Sequence, residues 1–344
     1  MKVLLHCQTP FSLAHGGAQI QIEQTQAALK AAGVEVEPLD WWDATQCGDL
    51  IHFFGRPPAE LIRLAQRKGI KVVVAELLTA QGSRSWAQLR LQKGISRTVK
   101  LLAPRSFTAA FNWDSYRLAD ACIALTPWEK RLMEYLFDAV PGKTFVVPNG
   151  VEEVFFQSPK MERGPWLVCT ATLTERKRVL ELAQAAVAAQ TPVWIIGRAY
   201  SDNDPYAQQF FQLAKTHPQF IRYEGGIGDR AKLAAIYRGA RGFVLLSTME
   251  SLSLSALEAA ACECPLLLGD LPWARSTFEG SASYCPVTTT AATAAVLKQF
   301  YETAPTLPLP PKPLTWHEVA EQLKAVYEKV IVNKTDFGKR KAET

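Results

Sequence analysis

Short apolar runs alternate with stretches of helical spacing along most of this chain. In the first half, Lys2–His6, Val34–Leu39, Leu50–Phe54, Ile70–Ala75, Ala121–Leu125 and Thr144–Val147 read as strands, with helical segments such as Ala18–Ala31 and Pro127–Phe137 between them. A second series follows at Trp166–Thr170, Val193–Ile196, Phe220–Tyr223, Phe243–Leu246 and Pro265–Leu268. This alternation is the signature of α/β layers built on parallel sheets. Two series predict two doubly wound domains, 1–155 and 156–312, with the break in the polar, aperiodic stretch between Val151 and Arg163. After the proline-rich Pro308–Pro313, helical spacing resumes from Trp316 to Val332, so 313–332 is expected as a terminal helix and the polar residues 333–344 as a disordered tail. Ligands of such sheets bind beyond the carboxyl ends of the strands, and the site is expected in the cleft where the domains face each other.

The segment Thr248–Pro265 concentrates candidate chemistry. Glu250 falls in the loop after an apolar strand, and Glu258 inside the helix that follows. Between them Ser251, Leu252, Ser253, Leu254 and Ser255 lead into a helix N-terminus, where unpaired N–H groups and the positive end of the helix dipole favour an anion. Two glutamates at this spacing occur by chance, but Ala256, Leu257, Ala259, Ala260 and Ala261 surround Glu258 with small or apolar side chains. A buried carboxylate there needs a partner. A carboxylate on each side of a phosphate seat suits a nucleotide-sugar, which carries two sets of hydroxyls separated by a diphosphate.

Three consecutive cations, Arg176, Lys177 and Arg178, follow another strand and can face such a diphosphate. Cations are disfavoured at a helix start unless an anion is expected there. Gly16 and Gly17 let backbone N–H groups approach a transferred group, or serve as a plain turn into the helix. Gly197 and Arg198 lie on a carboxyl edge and add candidate phosphate or sugar contacts. The Gly225–Gly228 loop with Ile227 reads as the lining of a base, because it lacks the full spacing of a dinucleotide fingerprint. Asp204 before Pro205 reads as a helix cap, and no metal site is implied.

A formal charge of +5 matters here through its distribution. From Leu77 to Trp113 there are six cations and no acidic residue. On a helix Arg90, Lys93, Arg97 and Lys100 share one face, and Leu91, Ile95, Val99 and Leu102 another. Such a segment suits an anionic membrane surface or a phosphorylated acceptor; equally it suits a solvated basic face over an ordinary core helix. Nucleic acid is not expected, since no recognised module accompanies the charge. No apolar run approaches the ~20 residues that span a bilayer, and Met1–His6 opening as a strand leaves no room for a signal peptide. Seven cysteines in mainly apolar settings, with no zinc spacing, fit reduced thiols and a cytoplasmic location.

The Thr248–Pro265 segment resembles the Glu-x7-Glu signature of retaining GT-B glycosyltransferases of the large family four, E-G-F-G-L-P-x-L-E-A-M-A-C-G-x-P. Leu254, Leu257, Glu258, Ala259, Ala261, Cys262 and Pro265 match, while serines replace the two glycines and the proline. Val147–Glu152 is similar to the family's P-N-G-V-D, His15–Gln19 to its N-terminal Gly-Gly loop, and Phe220–Gly225 and Lys232–Ala240 to segments in between. The resemblance runs in order along nearly the whole chain. It implies the GT-B fold: two facing Rossmann-like domains, the first on the acceptor side and the second on the donor side, with a C-terminal helix crossing back to the first.

It further implies a metal-independent transferase that moves a sugar, with retention, from a nucleotide-diphosphate donor to a glycan or lipid-linked acceptor in cell-envelope or polysaccharide biosynthesis. The setting implied is the cytoplasm or the inner face of the membrane, with no cofactor beyond the sugar-nucleotide substrate. In this reading Glu258 holds the ribose, Glu250 the sugar, and Lys177 with the serine loop the diphosphate. Thr172 stands where the family has a phosphate-binding arginine, and Arg176 or Arg178 would substitute. The family's histidine after the fourth strand is missing; Glu76 and His15 are the remaining candidates beside the reacting carbon. Alternatives are an accessory protein that binds sugar-nucleotides without turnover, and an epimerase of the same fold.

Overall fold

The computed structural model describes residues 1–8, 10–11, 16–157, 161–286 and 288–340, and divides the chain into two compact units. The first is Met1–Asn149 with Trp316–Thr344, and the second is Gly150–Thr315. The division falls ahead of residue 155 because Val151 and Phe155 are buried as part of the second unit, Phe155 lying against Tyr237.

The first unit holds strands β1 (Lys2–Cys7), β2 (Glu35–Pro38), β3 (Leu50–Phe54), β4 (Lys71–Ala75), β5 (Ala121–Ala124) and β6 (Thr144–Val146). All pair in parallel in the order β2-β1-β3-β4-β5-β6. Strand order reverses at β1/β3, which places the loops after these two strands at a topological switch point. Val72, Val73 and Val74 are fully buried, and the core on one face is completed by Ile62, Leu89, Leu132 and Met133 from the helices. Thr126 caps the helix Pro127–Phe137: its hydroxyl accepts from Glu129 N, and Pro127 supplies the preset φ of a first helical residue.

In the second unit β7 (Leu167–Thr170), β8 (Val193–Ile196), β9 (Ile221–Tyr223), β10 (Gly242–Leu245), β11 (Leu266–Gly269) and β12 (Ser283–Cys285) form a parallel sheet ordered β12-β11-β10-β7-β8-β9. Its switch point lies between β7 and β10. Gly197, just after β8, is dictated by packing: a Cβ there would lie 1.8 Å from the Ala171 carbonyl oxygen.

The terminal helix Trp316–Arg340 packs on the Gly17–Ala31 helix of the first unit. Its apolar stripe of Val319, Leu323, Val326, Tyr327 and Val330 is buried, and Lys324 Nζ donates to the Ala32 carbonyl at 3.1 Å. Tyr327 OH lies 2.6 Å from His52 Nδ1 in full burial. Burial pushes the His52 imidazole down to about 3, so it is neutral at physiological pH. The helix continues to Arg340, past the Val332 end expected from its spacing, so the backbone of residues 333–340 is helical instead of the expected disordered tail.

The basic segment is the helix Trp86–Leu102, closed at its start by a capping box between Ser85 and Gln88. Its packing departs from the second of the two readings, a basic face over an ordinary core helix. Only Leu89 is buried, whereas Leu91, Ile95 and Leu102 are exposed. Among the described residues no helix is long and apolar enough to cross a membrane.

Candidate active site

In the second unit, β10 runs out through Leu246 into the loop Ser247–Ser253, and the helix Leu254–Ala261 follows. Ser253 caps that helix, its Oγ accepting from Ala256 N and lying 3.1 Å from Ser255 Oγ. The loop is fastened to the segment after β7: the Arg176 carbonyl accepts from Thr248 N at 2.9 Å and from the Ser247 and Thr248 hydroxyls at 3.2 Å. Glu250, nearly buried, turns back onto the same segment. Its Oε1 accepts from Lys177 Nζ and, at 3.3 Å, from Arg176 Nη1, which also donates to the Met249 carbonyl at 2.6 Å. Lys177 and Glu250 side chains are only 13% and 10% exposed, so each relies on the other for the solvation it has lost. Arg178 has φ 53° and lies outside this ion cluster, with Nε buried and unbonded among the described residues.

A second cluster surrounds Glu258. Arg230 Nη2 donates to Oε1 and Tyr237 OH lies 3.3 Å from Oε2. Arg230 also bonds Glu152 Oε2 at 2.5 Å and stacks over Phe155, 4.7 Å from the ring centroid. Burial raises the Glu258 carboxyl above its ordinary value, opposed by the Arg230 charge. Arg230 is absent from the residues singled out in the sequence, while Glu152 and Tyr237 appear there only within the Val147–Glu152 and Lys232–Ala240 segments, with no site role given. The signal was present for one of them: Arg230 opens a helix behind the Asp229 cap, a position where the dipole disfavours a cation unless carboxylates meet it.

The structure therefore brings Arg176, Lys177 and Glu250 together and puts Glu258 on the helix that follows, at the carboxyl ends of β7 and β10. Ser251, Leu252 and Ser253 line the connecting loop as buried residues, and Leu254 and Ser255 are half-buried at the helix start. Thr172 is half-buried just beyond β7. Arg198 lies along the loop after β9: a Cβ on Gly226, the neighbour of Ile227, would sit 3.1 Å from its Cγ.

Gly16, Gly17 and Glu76 belong to the first unit, and His15 lies outside the described residues. Gly16 has φ 140°, a conformation glycine tolerates, immediately before the Gly17–Ala31 helix. Glu76 is held by Arg56, through Nε at 2.9 Å and Nη2 at 3.3 Å, and by Tyr116 OH. Arg56 itself lies 4.3 Å from the Phe137 ring centroid. Glu76 borders a cavity of ≈ 310 Å³ at the β1/β3 switch point, lined also by Gln8, Phe11, Gln19, Ile22 and Phe54. The expected cap at Asp204 is present, its carboxylate accepting from Tyr206 N at 2.9 Å. Cys122, Cys169, Cys262 and Cys264 are buried thiols pushed up to about 12 by desolvation, which makes them poor nucleophiles.

Comparison with known proteins gives this geometry a family context. Residues 164–302 match the family Glycosyl transferases group 1, a segment that holds Arg176, Lys177, Arg230, Glu250 and Glu258 but not Glu152. No curated protein matches the chain. Among solved structures, a glycosyltransferase from Rickettsia africae superposes with a TM-score of 0.64 at 11% identity, covering 96% of this chain and 98% of that one. Anabaena HepE in complex with UDP-glucose gives 0.64 at 14% identity, with 98% and 100% covered. Sucrose-phosphate synthase from Thermosynechococcus elongatus gives 0.64 at 18% identity, with 98% of each chain covered. The fold is thus that of the GT-B glycosyltransferases.

Proposed function

We propose that this chain transfers a sugar, with retention and without a metal, from a nucleotide-diphosphate sugar to a glycan or lipid-linked acceptor. The observation that carries the reading is the convergence of Lys177, Arg176 and Glu250 at the β7/β10 switch point, with Glu258 on the adjoining helix. Open sheets bind nucleotides at such a point. The match of residues 164–302 to Glycosyl transferases group 1 and the UDP-glucose bound by HepE support a sugar-nucleotide as the ligand.

The diphosphate sits against Lys177, Arg176 and the N-terminus of the Leu254–Ala261 helix. As the glycosidic bond breaks, negative charge grows on the leaving diphosphate, and the two cations stabilise it most at that stage. Glu250 spends Oε1 on the cations and offers Oε2 to a sugar hydroxyl. Glu258, charged and oriented by Arg230, accepts from the ribose. The cavity of the first unit, lined by Gln8, Gln19, Gln21 and Glu76 among mainly apolar side chains, receives the acceptor. Its place in cell-envelope or polysaccharide synthesis follows from that acceptor class.

The test is a panel of nucleotide-sugars incubated with candidate acceptors, read by release of nucleoside diphosphate. At least one donor is expected to turn over. Lys177→Ala should lower kcat more than it raises KM, since the cation's work is greatest in the transition state. Equal effects on both would reduce Lys177 to uniform binding. Donor binding without turnover for every acceptor would support the accessory-protein alternative, in line with Thr172 standing in place of an arginine.

A further inference from the structure

The loop that leaves β2 presents two tryptophans that the fold does not bury. Trp41 is 63% exposed and Trp42 is 95% exposed. The loop is nonetheless tied down along its length. Leu39 N donates to the Leu5 carbonyl at 2.8 Å, carrying the β2 pairing onward to β1. The Gln46 side chain closes the loop on itself, accepting from Asp40 N and donating to the Pro38 carbonyl, both at 2.9 Å. Asp40 Oδ1 accepts from Trp42 N, and Asp43 Oδ1 from Thr45 N, both at 2.8 Å. Trp41 stands edge-on to His6 of β1, with ring centroids 5.3 Å apart. Trp42 is thus carried at the surface on a fixed backbone, which leaves little order for a ligand to impose.

The surroundings narrow what can lie on this ring. Asp40, Asp43, Ala44 and Thr45 flank it and are all exposed, so it is not part of a broad apolar patch of the kind that marks a protein or membrane interface. Between Ala31 and Gly55 the chain carries Glu35, Glu37, Asp40, Asp43 and Asp49 and no Lys or Arg. Lys2 pairs with Glu35 and Glu37 at 3.1 and 2.9 Å, while Asp40 and Asp43 form no ion pair among the described residues. Such an acidic surround repels lipid phosphates and phosphorylated ligands. A single aromatic face between carboxylates fits a sugar ring, whose C–H face lies on the indole while its hydroxyls donate to the acids at the edge.

The loop also neighbours the cavity of the first unit. His6 and Cys7 are consecutive on β1 and point to opposite faces of the sheet. Cys7 and Gln8 line the cavity, so the tryptophan loop and the cavity flank the carboxyl end of β1 from its two sides. The described lining of the cavity has no Lys, Arg or His, and its carboxylate, Glu76, is paired with Arg56. Neither place offers a cation to a phosphate.

We propose that the acceptor is an uncharged glycan of more than one sugar, its end in the cavity and an inner sugar stacked on Trp42. This rests on the sugar-transfer reading and narrows its acceptor from a glycan or lipid-linked molecule to the glycan. Trp41 braces the platform against His6, and Asp40 and Asp43 take hydroxyls at the ring's edge.

The experiment is calorimetric titration of neutral gluco-, manno- and galacto-oligosaccharides, and of their monosaccharides, into the full chain without donor. At least one oligosaccharide should bind, and its monosaccharide far more weakly. Trp42→Ala should weaken that binding about ten-fold, the equivalent of ~1.4 kcal/mol, and leave the melting temperature unchanged because the ring is already exposed. Trp42→Phe keeps an aromatic face and should recover most of the affinity. No binding by any of these oligosaccharides overturns the proposal, as does binding that ignores Trp42→Ala or that uronic-acid oligomers match. Attachment to phospholipid vesicles, or self-association, lost in Trp42→Ala would give the ring to a lipid or a second copy and equally overturn it. Nucleotide-sugars titrated in parallel separate the two readings. Glycan binding without donor binding supports the Trp42 site while overturning sugar transfer; donor binding without glycan binding overturns the acceptor proposal alone.

Discussion

Glu258 is buried against Arg230, whose guanidinium is partly exposed and supplies the charge the carboxylate lacks from water. Burial raises the carboxyl and Arg230 opposes the rise, so the pair titrates above the ordinary glutamate value of 4.5. The sign follows. A carboxyl raised by folding favours the folded state below its unfolded pKa, and that contribution is lost as pH rises through the folded value. Ribose hydroxyls need the charged form as acceptor, so nucleotide affinity should fall as pH drops through the raised value, with a midpoint above 4.5. Arg230→Gln removes the nearest cation and should move that midpoint to higher pH. Nucleotide titrations across a pH series check this, and an unchanged midpoint would separate Arg230 from the ribose site. Lys177 and Arg176 were legible in the sequence because cations at a helix start are anomalous. Arg230 carries the same anomaly, yet its partner lies 28 residues along the chain, and only the fold brings the two together.

At the scale of elements, parallel strands buried on both faces read directly as apolar runs, which is why β3, β8 and β11 stand where the pattern put them. β12 carries no such run: Ser283 and Tyr284 are half-buried and only Cys285 is buried, so it was invisible before β11 supplied its partner. Periodicity located the helix Trp86–Leu102 without saying which side faced in. Leu89 and the partners of Lys93 and Lys100, the Tyr135 ring and Asp138, decided that, and they lie on the side opposite the longest apolar stripe. The terminal helix behaves in the ordinary way, burying its stripe. Its polar anchor, Tyr327 on His52, gave no sequence signal. Tyr327→Phe should leave His52 Nδ1 buried without a partner and lower stability by about 1–3 kcal/mol, measured by denaturant unfolding. An unchanged midpoint and slope would mean that the apolar stripe alone fixes the helix.

At the scale of the molecule, the order of strands does what no single motif can. In the second unit the reversal between β7 and β10 puts the cations of one loop against the carboxylate of another, although they are separated by 73 residues in sequence. In the first unit the reversal at β1/β3 leaves a cavity beside Glu76. The central claim is that the second unit holds a nucleotide-diphosphate sugar with Glu258 on the ribose. Calorimetric titration of nucleoside diphosphates and their sugars into the wild type and Glu258→Ala tests it most directly. Tight binding of at least one such ligand is expected. The substitution should weaken it roughly 10- to 150-fold, the equivalent of the ~1.5–3 kcal/mol of a hydrogen bond to a charged acceptor. Equal affinities in two folded proteins, or no binding across the panel, would contradict the account.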